Sequence, residues 1–146
     1  MKEIQLTTAE MKILILISSI KEFESENPEN ELKCGVGEVI VSNELMEPDL
    51  YERVSDSLYH LGLIDDEDSM TDAGQSYIEQ VKKNAENMKS DRNAVCVNNY
   101  SNVNFEKVAE WFKSIHWEEV LANTGKILAG VNTLISIVDT YIKAFS

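Results

Sequence analysis

Between Met11 and Ile20 the chain places apolar residues on nearly every side of a helix: Met11, Ile13, Leu14, Ile15, Leu16, Ile17 and Ile20. A surface helix keeps one polar face. A helix without one belongs at the centre of a fold, with partners all round. Its start is marked by Thr7-Thr8-Ala9-Glu10, a capping box in which a threonine hydroxyl and the glutamate carboxylate satisfy early N–H groups reciprocally. Asn27-Pro28-Glu29-Asn30 reads as the loop that ends it. With 146 residues the chain is long enough to cover such a helix within one domain, or a domain plus an appendage.

The partners follow in order. Glu38 to Met46 reads as a short helix, with a β-branched strand as the alternative. Pro48 suits the first turn of the next helix, Asp49 suits its positive end, and Gly62 suits its stop. Leu50, Val54, Leu58 and Leu61 make one apolar stripe along it. Leu63-Ile64 and Ser69-Met70 are expected to pair as a small β-wing, after which Thr71 caps a helix with Ala73, Tyr77, Ile78, Val81, Ala85 and Met88 on its apolar face. An Asn-rich stretch, Asn98 to Asn104, reads as a connector. Asn104 caps a helix carrying Val108, Trp111, Phe112 and Ile115, and a final helix runs from about Val120 or Gly125 to Phe145.

The net charge of −13 is unevenly placed. Residues 1–90 hold 8 Lys and Arg against 20 Asp and Glu, whereas residues 91–146 hold 5 against 6. The acidity therefore belongs to the first part of the chain, where a solvated, solubilising face is the first reading and a surface for a basic partner, or one that imitates DNA, is the second.

Val54 to Ile64, closing in Leu61-Gly62-Leu63-Ile64, followed by Met70-Thr71-Asp72-Ala73-Gly74-Gln75-Ser76-Tyr77-Ile78, resembles the winged helix-turn-helix family in its MarR-like and prophage-type small regulators. The resemblance covers residues 49–83 and implies a recognition helix over Asp49–Leu61, with Arg53, Ser57 and His60 among its DNA-facing positions. The charges oppose that role. The helix also offers Asp49, Glu52 and Asp56, and the tip of the wing reads Asp65-Asp66-Glu67-Asp68, where phosphate contacts require cations. These four carboxylates are read instead as an acidic contact surface for a basic protein partner, with imitation of DNA as one form of that contact.

In the tail, Ile127, Val131, Leu134, Val138, Tyr141 and Phe145 are spaced 4, 3, 4, 3 and 4 apart, widened by Leu128, Ile135 and Ile142. That is a heptad seam. Packing on the chain's own core and insertion at a membrane surface compete with self-association. Only Lys126 and Lys143 flank Asp139 on the polar face, too few cations for a strong lipid-surface case, and self-association is the favoured reading. The uncharged run between Lys126 and Asp139 spans 12 residues, short of the ~20 that cross a bilayer.

Chemistry is sparse. His60 and His116 have no Cys or His at metal spacing, and Cys34 and Cys96 are expected as reduced thiols. Cys34-Gly35-Val36-Gly37 lacks the residues of a phosphate-binding loop. The acidic tetrad lacks the alternating ligands of a calcium loop. No apolar signal region opens the sequence. The reading is therefore a mainly α protein with a small β-wing: a winged-helix-like domain over residues 1–90, a connector over 91–104, and a C-terminal helical hairpin over 105–146. It is expected to be cytoplasmic, non-enzymatic and cofactor-free, a regulatory or adaptor protein acting through self-association, a basic protein partner, or both, with a DNA-binding transcriptional regulator, a DNA-mimic inhibitor and a membrane-acting tail as the alternatives.

Overall fold

The computed structural model describes residues 4–26, 36–90 and 103–123, together with Ser136 and Asp139, which are helical and exposed. Among the described residues there are six helices: α1 (Thr8–Glu26), α2 (Val36–Ser42), α3 (Pro48–His60), α4 (Asp72–Ser90), α5 (Phe105–Ser114) and α6 (Trp117–Asn123). Helix α1 lies at the centre, packed against α3, α4 and α5, while α2 packs against α3. Its seven apolar residues from Met11 to Ile20 are all buried, as a helix without a polar face demands. Ser19, also buried, satisfies its hydroxyl by donating to the Ile15 carbonyl at 2.8 Å. Thr7 forms the expected capping box: its N–H donates to Glu10 Oε1 at 2.9 Å, and the Glu10 N–H donates to Thr7 Oγ1 at 3.3 Å.

The other helix ends follow local chemistry as closely. Pro48 opens α3 after Glu47. At its far end the Gly62 N–H reaches the Tyr59 carbonyl and the Leu63 N–H reaches that of Leu58, the double bond of a Schellman motif, with Gly62 at φ +78°. The Thr71 hydroxyl accepts from the Gly74 N–H at 3.0 Å to cap α4, and Asn104 Oδ1 accepts from the Lys107 N–H at 3.1 Å to cap α5.

The expected β-wing is not there. Among the described residues no strand forms; Ile64 and Met70 make one isolated antiparallel bridge. The reason is spatial. Gly62 ends α3 on one side and Thr71 must cap α4 on the other, so each arm keeps only two residues where a strand typically needs five or six. Thr71 is further held by donating to the Gly62 carbonyl at 2.6 Å. Helix α4 presses on this corner so closely that a Cβ on Gly74 would lie 2.1 Å from the Leu63 carbonyl oxygen.

Three smaller expectations also shift. Leu61 is 40% exposed, and Tyr51, not Leu61, completes the buried face of α3 with Val54 and Leu58. On α4 Ala73 is exposed while Gly74 is buried. Helix α6 begins at Trp117, ahead of Val120. Val108, Phe112, Ile115, Trp117 and Val120 join the same core as α1, and the Asn104 N–H donates to the Thr8 hydroxyl at 2.9 Å across 96 positions of sequence. The first part of the 105–146 segment is therefore docked on the central helix. Ile127, Val131, Leu134, Ile135, Val138, Tyr141, Ile142 and Phe145 lie outside the described residues.

Candidate functional site

Helix α3 buries one side and shows the other to solvent. Asp49, Glu52, Arg53, Asp56 and His60 are exposed and recur at the three- and four-residue intervals that bring side chains onto one stripe. Arg53 is the stripe's one fixed cation. It can offset Asp49 four positions away, but Glu52 and Asp56 repel each other at the same spacing, a pairing that disfavours the isolated helix by about 0.2–0.5 kcal/mol. Ser57, expected to face outward, turns instead toward α1, where its hydroxyl donates to the buried Glu10 carboxylate. His60 does stay exposed; its Nδ1–H donates to the Asp56 carbonyl at 2.7 Å, and its ring meets Tyr59 edge-on.

The acidic tetrad beside this stripe is divided between two roles. Asp65 Oδ1 accepts from the N–H groups of both Glu67 and Ser69 at 2.9 Å, folding the loop around its own carboxylate. Asp68 takes a left-handed backbone, φ 59°, which a short polar side chain tolerates better than most. Its carboxylate accepts from the Tyr51 hydroxyl at 2.9 Å and from the Ser55 hydroxyl at 2.6 Å, lashing the loop to the flank of α3. Burial, and after it the neighbouring Asp68 carboxylate, push the Tyr51 phenol well above its ordinary pKa, so it remains a donor. Asp66 and Glu67 are left exposed. The exposed acidic surface is thus Asp49, Glu52 and Asp56 along α3 with Asp66 and Glu67 on the adjoining loop, while Asp65 and Asp68 hold that loop in place.

In the sequence Asp65 to Asp68 read as one surface because nothing local separates them. The signals that do, Tyr51 and Ser55, lie 17 and 13 residues before Asp68. Nor does the sequence mark Glu10 as a tether between α1 and α3, since a capping box accounts for that residue by itself. Among the described residues, no group of three or more His, Cys, Asp or Glu is placed to hold a metal ion, and no helix is long and apolar enough to cross a membrane. No protein-family model matches the chain, and neither a curated protein nor a solved structure does.

Proposed function

We propose that this chain is a non-enzymatic regulatory or adaptor protein of the cytoplasm, whose acidic α3 face meets a basic surface of a partner protein and whose C-terminal heptad seam associates with copies of itself. The observation that carries this reading is the exposed side of α3: three carboxylates and one guanidinium, flanked by Asp66 and Glu67 on a loop lashed in place. The succession of α2, a short turn and α3 supports the helix-turn-helix part of the family resemblance. A duplex-reading role would need cations where these carboxylates stand, because neutralising phosphates supplies a large share of the binding energy. Against a basic protein the same charges raise the association rate and select the partner.

The test is capture of partners on the full chain beside a variant with Asp49→Asn, Glu52→Gln and Asp56→Asn. A basic protein retained by the wild type, released by rising salt and lost from the variant supports the reading. A gel shift of duplex DNA at low salt, abolished by Arg53→Ala, would falsify it in favour of a DNA-binding regulator. For the self-associating part, light scattering should give a mass above the monomer that falls to the monomer with Leu134→Asp. A wild-type monomer at high concentration removes that part.

A further inference from the structure

Helix α2 ends as α3 does, but with the wrong residue for the job. The Glu44 N–H reaches the Val41 carbonyl and the Leu45 N–H reaches that of Ile40, the same double closure that Gly62 makes after α3. The position that glycine fills there is here glutamate, at φ 55°. A side chain with a Cβ is disfavoured in this backbone region, and glycine would relieve the cost. Residues kept in such conformations recur at active sites and ligand clamps.

Glu44 lines an open cleft of about 470 Å3 between the turn after α2 and the corner joining α5 to α6. Trp111 and Leu45 form part of its wall, tied together by the Trp111 Nε1–H donating to the Leu45 carbonyl at 3.1 Å. Glu119 from α6 and His116 complete the polar side. Glu44, His116 and Glu119 are exposed, and among the described residues no lysine or arginine lines the cleft. Lys12 Nζ sits 5.6 Å from the centre of the Trp111 ring without reaching the lining, so attraction for a cation rests on the two carboxylates, with the indole as an apolar wall. The volume lies within the usual range of side-chain and small-molecule pockets. A flat guanidinium, weakly hydrated and able to pair with carboxylates while lying against an aromatic ring, fits that combination better than an ammonium.

We infer that this cleft receives an arginine side chain of the basic partner, an anchor beside the acidic helix face. The inference rests on the proposed function, and it deepens that function by placing a specific pocket next to a diffuse charged surface. The turn that forms one rim of the cleft is followed within three residues by Pro48, the first residue of α3, so the cleft adjoins the end of that helix where the acidic stripe begins.

The test is an NMR titration of the full chain with N-acetyl-L-arginine amide, read at the Trp111 indole N–H. A saturable shift is expected, absent with the uncharged N-acetyl-L-citrulline amide. Glu44→Gly and Glu119→Gln should each weaken it about threefold, the scale of one exposed ion pair, while the melting temperature of Glu44→Gly stays level or rises. Equal response to arginine and citrulline, or a Glu44→Gly titration unchanged from wild type, overturns the inference. Stronger binding of free L-arginine than of the capped form also overturns it, since that would indicate a metabolite site. The α3 variant used for partner capture should leave this titration intact, so a silent cleft with partner capture preserved rejects the anchor alone.

Discussion

Helix α1 and the corner from Gly62 to Thr71 pack against the same core and are held by opposite means. Helix α1 is fixed by apolar burial on all sides, a non-directional force that depends on area and little on charge. The corner is fixed by directed bonds: the Gly62 carbonyl to Thr71, the loop N–H groups to Asp65, and Tyr51 and Ser55 to Asp68. Damage to the first should therefore scale with the atoms removed, and damage to the second with the bonds removed. The contrast also explains how a tetrad of like charges can form one tight loop: two of its members spend their negative charge on internal donors.

The sharpest break in that comparison is Leu14→Ala in α1, expected to cost about 2–5 kcal/mol in denaturant unfolding because it opens a cavity in a fully buried helix. Next comes Gly74→Ala, where the new Cβ meets the Leu63 carbonyl oxygen; a loss of about 1–3 kcal/mol is expected, read in the same way. A similar or slightly smaller loss, about 1–3 kcal/mol, should follow Asp68→Ala, which leaves two hydroxyls without their acceptor, whereas Asp66→Ala should stay within about 0.5 kcal/mol. Equal effects at 66 and 68 would erase the division of the tetrad.

The smallest effect concerns pH. The Tyr51 phenol has its pKa raised in the folded state, so the stability it contributes is whole below the ordinary tyrosine value of ~10 and is lost as pH climbs above it. Thermal melts between pH 9 and about 11 should fall more steeply for the wild type than for Tyr51→Phe. Parallel curves would mean that the Tyr51–Asp68 bond contributes little.

What is legible in the sequence is whatever is written within four residues. The capping box at Thr7, Pro48 at a helix start, Gly62 at a stop, and the caps at Thr71 and Asn104 each rest on a bond between near neighbours. The centrality of α1 was equally legible, because a helix without a polar face has one place to go. Choices that turn on a distant partner were not. Tyr51 completes the buried face of α3 in place of Leu61, which falls just past the helix end. On α4 Gly74 is buried where Ala73 is exposed, while Val54, Leu58, Ile78 and Val81 stay buried as expected. Leu63-Ile64 and Met70 resemble strand residues because they are buried and apolar, yet the helix ends on either side leave no length for a ladder. The Glu44 ending of α2 carried no local cue, since glutamate is rarely found in the place of a terminating glycine.

The bond between Thr8 and Asn104 has a bearing on how the molecule is born. The face of α5 that covers helix α1 emerges from the ribosome nearly a hundred residues after α1 itself. For that interval an unusually greasy segment has no complete shelter, a state that invites aggregation or chaperone capture. The acidic residues translated between the two helices keep the nascent chain strongly charged during the wait, so carboxylates that stand exposed in the finished protein also serve the chain while it is being made.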